Sequence, residues 1–259
     1  MSVRLFSAIL YSSGRSFYYT GSLLQQMKFI DHTFGNPAED LACDEALLDA
    51  CETDGGEALR FWEPHDAFVV LGYSNRLQTE TRVEACRGLD IPVFRRASGG
   101  GTVLQAPGCL NYAVILKNER APSVRAANGY VMERHRAALE SLLGETVAVR
   151  GHTDLCLGEL KFSGNSQRRK RSHFLFHGTL LLSMDLSLVA QALAAPSVAP
   201  EYRRGRGHEA FLLNLGIPPA RVKAALAAVW KASRSEEPPH ALTRELSARY
   251  ADPAWTQRL

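Results

Sequence analysis

Phe94-Arg95-Arg96-Ala97-Ser98-Gly99-Gly100-Gly101-Thr102-Val103 carries two arginines out of a short apolar run and into a triple-glycine turn. The stretch bears on the fold first by what it excludes. Its glycines lack G-x-G-x-x-G spacing ahead of a helix, and no G-x-x-x-x-G-K-[ST] occurs in the chain, so dinucleotide-binding and P-loop architectures fit poorly. Three successive residues without Cβ let the main chain approach a ligand closely and present an amide nest to an anion. Arg96 adds a guanidinium fork suited to phosphate or carboxylate. A bare triple glycine is more often an ordinary turn; the flanking arginines shift the reading to an anion site.

Outward from this turn, short apolar runs at Phe68–Leu71, Pro92–Phe94 and Leu110–Leu116 are bounded by Gly, Pro or Asn and read as strands. Upstream, Asn36-Pro37-Ala38-Glu39 opens a helix, with Asn36 as cap, Pro37 at the first helical position and Leu41, Leu47 and Leu48 as a buried stripe. Downstream, Val131, Ala138, Leu139 and Leu142 space a helix between Ser123 and Gly144. Strands resume at Val147–Val149, Leu155–Leu157 and Phe174–Leu182, with Gly158-Glu159 as a two-residue turn. Helices close the chain, one after Asp185 that stops near Pro196 and one from Pro218. Strands in the middle with helices before, between and after them, lacking regular alternation, give an α+β class.

At 259 residues, with 46% hydrophobic and 22% charged residues and a formal charge of +3, the chain reads as a folded protein, neither disordered nor coated with nucleic-acid contacts. Cys43, Cys51, Cys86, Cys109 and Cys156 form no C-x-x-C pair and have no His at metal-ligand spacing, so they read as reduced thiols of a cytoplasmic protein. No apolar run reaches the roughly 20 residues that span a bilayer, and no secretory cleavage pattern is evident. Residues 1–26 read as an N-terminal extension, disordered or not native, with Met27 as the natural start. Its lack of Asp and Glu resembles a transit peptide only loosely. Residues 27–259 then form a single catalytic domain, expected to act as a monomer.

Two further stretches carry chemistry. Asp154, after Gly151-His152-Thr153, precedes Glu159-Leu160-Lys161-Phe162-Ser163-Gly164-Asn165-Ser166-Gln167, a lone lysine among small polar residues. Lys161 is a compact point charge beside a turn that presents amides and the Asn165 side chain, and Asp154 is a candidate for a metal or a ligand amine. His177-Gly178-Thr179 lies within an apolar strand, where a histidine is commonly a satisfied core residue. Arg168, Arg169, Lys170 and Arg171 just before it read as a solvated loop, able to attract an acidic partner or a polyphosphate.

Taken together and in this order, Arg95-Arg96-Ala97-Ser98-Gly99-Gly100-Gly101, Asp154, Lys161-Phe162-Ser163-Gly164 and His177-Gly178-Thr179 resemble the lipoate–protein ligase A family. Weaker similarity runs from about Met27 to about Ala232 and includes Leu41-Ala42-Cys43-Asp44-Glu45 and Leu59-Arg60-Phe61-Trp62. The resemblance implies an α+β fold with a mixed β-sheet flanked by helices, shared with biotin ligases and class II aminoacyl-tRNA synthetases. It also implies formation or use of lipoyl-AMP and transfer of the acyl group to a lysine of a carrier domain. By the same resemblance Lys161 is the catalytic residue, beside the carbonyl and phosphate of the adenylate. The substrate-binding set is Arg96, Ser98, Gly99, Gly100, Gly101, Thr102, Asp154, Gly164, Asn165, His177, Gly178 and Thr179. The resemblance further implies ATP and Mg²⁺ as co-substrate and activator, with Asp154 as the magnesium ligand and no permanently bound cofactor. Expected partners are lipoyl domains of 2-oxoacid dehydrogenase complexes and the glycine-cleavage H-protein, with neither nucleic acid nor membrane. Phe61, Trp62, Val70 and Leu71 are candidate walls for the acyl tail.

Against the family pattern, Gln105 stands where many members place His, Cys109 where they often have Asn, and Thr153 replaces an Asn before Asp154. The C-terminal accessory domain of well-known ligases is expected to be absent, with a separate accessory protein making the adenylate or with transfer as the only step. The competing reading is an octanoyltransferase that works through a cysteine thioester without ATP. A biotin ligase is disfavoured because Arg203-Arg204-Gly205-Arg206-Gly207 comes too late in the chain. A non-catalytic carrier-binding module would have no need of Lys161 beside the arginine–glycine turn.

Overall fold

Asn36 caps a helix as its position predicts. In the computed structural model, which describes residues 26–259, its side chain accepts from the amide of Glu39 at 2.9 Å, and Pro37 starts the helix. The extension expected over residues 1–26 lies outside the described residues apart from Gln26. In chain order the elements are β1 (Lys28–Asp31), α1 (Pro37–Asp54), β2 (Ala58–Trp62), β3 (Phe68–Leu71), α2 (Leu77–Glu80), α3 (Val83–Gly88), β4 (Val93–Arg95), β5 (Val103–Gln105) and β6 (Cys109–Lys117). There follow α4 (Val124–Leu143), β7 (Val147–Arg150), β8 (Asp154–Leu157), β9 (Leu160–Arg169), β10 (His173–Leu181), α5 (Ser187–Ala192), α6 (Pro219–Trp230), β11 (Arg234–Ser235), α7 (His240–Ala251) and α8 (Pro253–Thr256).

Eight strands form one mixed sheet in the order β11-β1-β2-β6-β10-β9-β8-β7, and β4-β3-β5 form a small second sheet. β1 runs parallel to both of its neighbours, whereas β6 is antiparallel to β2 and β10. The pleat sends alternate residues to opposite faces. Leu59, Phe61, Tyr112, Val114, Phe174 and Phe176 pack against Val131, Met132 and Leu139 of α4 and Val222, Leu226 and Trp230 of α6. Ala58, Ala113, Ile115 and Leu175 face the other way, onto Cys43, Leu47, Leu48 and Cys51 of α1. Phe61 and Trp62 therefore do not share a wall: Trp62 joins Phe68 and Val70 beneath α1, and Phe61 belongs to the opposite core. No helix of the described residues is long and apolar enough to cross a membrane.

Only Lys170 and Arg171 of the basic run lie in the loop between β9 and β10, and of these Arg171 is exposed. Arg168 and Arg169 end β9. Arg168 pairs with Glu45 at 3.1 Å, Arg169 donates to the Ala121 carbonyl at 2.9 Å and lies over the Phe174 ring, and Lys170 pairs with Asp49. The acidic side of α1 faces the β9–β10 hairpin and pairs with Arg168 and Lys170. The C-terminal residues extend the same body: Tyr250 of α7 is buried in the Trp62 cluster and its hydroxyl donates to Glu45 at 2.7 Å.

His135 of α4 is buried between Tyr112 and Trp230, with its Nε2 accepting from the indole at 2.8 Å. Burial pushes this imidazole down from 6.5 to about 3. Unfolding releases it to its ordinary value, so below pH 6.5 the unfolded chain binds the extra proton and stability falls as the pH drops toward 3. Between pH 7 and pH 5 this one group is expected to cost about 2 kcal/mol, read as a lower urea midpoint. His135→Gln keeps an acceptor for Trp230 and should flatten that dependence; an unchanged slope would assign the acid lability to other groups.

Candidate functional site

Strand register builds the site from two rows of residues. Arg60, Ala113, His177 and Ser166 lie side by side across β2, β6, β10 and β9, as do Trp62, Asn111, Thr179 and Gly164. Cross-strand partners point to the same face, here the face covered by α1 and the glycine turn. The row between them, Phe61, Tyr112, Gly178 and Asn165, points the other way. Asn165 accordingly spends its side chain on the Tyr112 hydroxyl and the Thr153 carbonyl. Of the residues grouped as substrate-binding, Asn165 and Gly178 are thus turned away from the face that carries His177 and Thr179.

Lys161, on β9, reaches over Gly164, where a Cβ would lie 2.9 Å from its Nζ. The ammonium pairs with Asp154 Oδ1 at 2.7 Å. Asp154 Oδ2 accepts from the Tyr202 hydroxyl, also at 2.7 Å. Burial, first, and the Asp154 charge raise Tyr202 above its ordinary value, so its proton stays available to Asp154. Tyr202 had no signal in the sequence, since it arrives on a loop 48 residues beyond Asp154. That loop is fixed to Lys161 by backbone bonds from Lys161 N to Phe211 O and from Leu213 N to Lys161 O.

The glycine turn rests on His177. Ser98 Oγ lies 2.6 Å from His177 Nε2, and His177 Nδ1 lies 2.8 Å from Asp44 Oδ2. Because a carboxylate accepts only, Nδ1 carries a proton, and in the neutral ring Nε2 is left to accept from the Ser98 hydroxyl. Asp44 is held from behind by Arg60, which also pairs with Asp40, both at 2.7 Å. Burial lifts the Asp40 carboxyl to about 6 against the opposing pull of Arg60 and the Phe34 amide. Arg96 closes the turn: it donates to Ser98 Oγ at 3.1 Å, to Gly99 O at 2.6 Å and to Gly101 O at 2.7 Å. Burial lowers this guanidinium to about 10, which leaves it charged at neutral pH. The glycines themselves are exposed, and their three amides donate to no acceptor among the described residues. Thr102 Oγ1 bonds Asn75 Oδ1 at 3.2 Å and steadies the far end of the turn.

Gln105, the residue in the usual His position, closes a ring of polar side chains. It donates to Thr179 Oγ1 at 2.6 Å, Thr179 donates to Asn111 Oδ1 at 2.6 Å, and Asn111 donates to Gln105 Oε1 at 2.9 Å. The ring bonds β5 of the small sheet to β6 and β10 of the large one. Cys109 is buried, directs its thiol to Met184 Sδ at 3.2 Å, and is pushed up to about 12 by burial. Burial also raises the thiol of Cys156. Among the described residues no group of three His, Cys, Asp or Glu side chains could hold a metal ion.

Residues 36–214 match the family model described as the lipoyl protein ligase A/B catalytic domain. A relative from Aeropyrum pernix, named for lipoate-protein ligase A, is 31% identical over 81% of this chain and 77% of its own. Octanoyltransferase LipM of Carboxydothermus hydrogenoformans is 25% identical over 70% of this chain and 74% of its own. Among solved structures, one from a study of a bi-partite lipoate protein ligase and its E2 lipoyl domain from Thermoplasma acidophilum shares the fold with a TM-score of 0.78 at 22% identity, covering 90% of this chain and 96% of the other. The fold recurs in lipoate-protein ligase A bound with ATP, with a TM-score of 0.77 at 23% identity and coverage of 90% and 98%.

Gly178 is required by the packing of Asn165. A Cβ there would fall 1.8 Å from Asn165 Oδ1 and 2.8 Å from Gly164 O. Gly178→Ala is expected to cost about 2–3 kcal/mol of stability, and less when Asn165→Ala has already removed the closer obstacle. A double-mutant cycle by urea unfolding measures the difference; equal costs in the two backgrounds would count against Asn165 as the cause.

Proposed function

Because this chain belongs to the lipoyl protein ligase A/B catalytic-domain family, we propose that it forms or uses lipoyl-AMP and transfers the lipoyl group to a lysine of a carrier domain. The observation that carries this reading is the position of Lys161: its ammonium is fixed by Asp154 over Gly164, on the sheet face that also bears His177 and the glycine turn. In the first step a carboxylate oxygen of lipoate attacks the α-phosphorus of ATP and the bond to pyrophosphate breaks. Two anions meet there, so preorganised positive charge is needed. Arg96 and the glycine amides are placed to supply it. In the second step the ε-amine of the carrier lysine attacks the acyl carbonyl, the bond to AMP breaks and the amine loses a proton. Lys161 donates to the carbonyl oxygen as negative charge builds on it.

Magnesium enters this scheme as the ATP complex, held largely by phosphate and water oxygens. Both Asp154 oxygens are engaged, by Lys161 and Tyr202, so Asp154 suits positioning of Lys161 better than a resident metal. The structurally similar Thermoplasma acidophilum ligase was studied with its E2 lipoyl domain and is bi-partite. That supports lipoyl domains, or the related H-protein, as acceptors and leaves a place for a separate accessory subunit. We assign the activity to one domain over residues 27–259, acting in the cytoplasm.

The relatives named octanoyltransferase keep a thioester route in view, and the cysteines argue against it. All five are buried, and burial raises each of their thiols above the ordinary range, Cys109 and Cys51 to about 12 and Cys43 to about 11. Intact mass of an apo lipoyl domain, incubated with lipoate plus ATP-Mg²⁺, with preformed lipoyl-AMP, or with octanoyl-acyl carrier protein, separates ligase, transferase and thioester chemistry. Lys161→Ala is expected to lower transfer on the order of 10²–10³-fold, with Cys109→Ala and Cys156→Ala remaining active. Wild-type rates without Lys161, or modification by octanoyl-carrier alone, would overturn the reading.

A further inference from the structure

Arg95 lies beside Arg96 in the sequence yet faces a different part of the molecule. Its buried side chain donates to the carbonyls of Gly72, Tyr73 and Asn75 at 2.9, 3.0 and 2.7 Å, and to those of Trp255 and Thr256 at 3.1 and 2.7 Å. Trp255 returns a bond from its indole to Arg95 O at 2.8 Å. One guanidinium thus straps the C-terminal segment, which lies beyond the stretch matched by the family model, to the 72–75 loop. That loop is pressed on the glycine turn: Tyr73 N donates to Ser98 O at 2.8 Å, and a Cβ on Gly72 would fall 2.1 Å from Gly100 O.

The strap brings a third cation to this place. Arg258 donates to Tyr73 O at 3.2 Å, with its guanidinium 3.7 Å from the Tyr73 ring centre and 4.7 Å from that of Trp255. Among the described residues, Arg95, Arg96 and Arg258 pair with no carboxylate. The nearby Arg168 and Arg249 share one carboxylate, Glu45, which leaves a further positive surplus. Burial, reinforced by the charge of Arg258, lowers Arg95, and Arg258 also lowers the exposed Tyr73 hydroxyl. Arg95 and Arg258 repel one another without a paired carboxylate between them, and an anion relieves the repulsion. The exposed amides of Gly99, Gly100 and Gly101, in the turn on which the 72–75 loop is pressed, fit a phosphate group better than a broad acidic surface.

We infer that Arg258, with Arg95 and Arg96 behind it, completes a subsite at the glycine turn for the pyrophosphate end of a nucleoside triphosphate. This rests on the acyl-adenylate reading above and adds to it a residue from outside the matched stretch. Arg258 is exposed, so its replacement should leave the fold intact. In the full chain, Arg258→Ala is expected to weaken binding of inorganic pyrophosphate, followed by titration calorimetry, by about tenfold, and to raise the KM for ATP in lipoate-dependent AMP formation to a similar degree. Arg258→Lys should recover part of both, and transfer from preformed lipoyl-AMP, which has no pyrophosphate, should fall less. Unchanged pyrophosphate affinity, or no pyrophosphate binding by the unaltered chain, overturns the subsite. A rise confined to the KM for the carrier domain overturns it too, in favour of an acidic protein surface as the occupant. Failure of the unaltered chain to transfer from lipoyl-AMP, with pyrophosphate still bound and sensitive to Arg258, would sink the acyl-transfer reading and leave the subsite standing.

Discussion

Arg60 is 0% exposed, and its guanidinium bridges Asp40 and Asp44, two residues one turn apart on α1. From this contact the site is assembled outward. β2 supplies the arginine, α1 the two carboxylates, β10 the His177 that Asp44 orients, and Ser98 the point where the glycine turn rests on the sheet. Each group is buried or nearly so and each depends on the next. Removing one partner of such a buried pair typically costs about 3–5 kcal/mol, because the other charge is stranded. The network is therefore weak evidence of high stability and better evidence that the geometry at Ser98 admits one arrangement.

The same logic explains how a backbone turn comes to present amides. Arg96 draws the carbonyls of Gly99 and Gly101 toward itself, and peptide planarity then constrains where the neighbouring N–H groups can point. The arginine shapes the nest and contributes field; its own donors are largely taken by the turn. Ser98 completes the arrangement by donating a hydrogen bond to the neutral His177 ring and accepting from Arg96 Nε. Asp40 and Asp44 are thus answered by Arg60 on the α1 side of His177, while the exposed amides of the glycine turn on its other side remain open to an anion.

Much of the fold was legible because it is decided locally. The Asn36 cap, the Ser123–Gly144 helix and the apolar runs that became β3, β6 and β10 needed only short-range signals. β9 was harder. Leu160–Arg169 has few apolar residues, since one of its faces meets the site and its end meets the acidic side of α1, so the alternation that marks a half-buried strand is missing. The candidate motif residues are grouped in the sequence by type and order, but the face each one occupies depends on register, which a single sequence does not reveal. That is why Asn165 and Gly178 were grouped with His177, and Phe61 with Trp62. Tyr202 and Arg258 were invisible for a different reason: they reach Asp154 and Tyr73 across 48 and 185 residues of chain, and nothing in their own neighbourhoods marks the meeting.

On the reading proposed above, adenylate and thioester chemistry differ in the group offered to the acyl carbonyl. A thiol raised to about 12, as in Cys109, is ionised to only about one part in 10⁵ at pH 7, and the thiolate is the nucleophile. Cys156 stands closer to the site but directs its sulfur at the Tyr202 hydroxyl at 3.5 Å, and the charge of Asp154 adds to burial in disfavouring its thiolate. Lys161 has the opposite surroundings. Asp154 holds it by an ion pair, Gly164 leaves room for its ammonium, and Tyr202 keeps the second Asp154 oxygen from wandering. An ammonium held in this way is a fixed donor and a poor nucleophile, which suits it to stabilising charge on a carbonyl oxygen while an amine from another protein makes the attack.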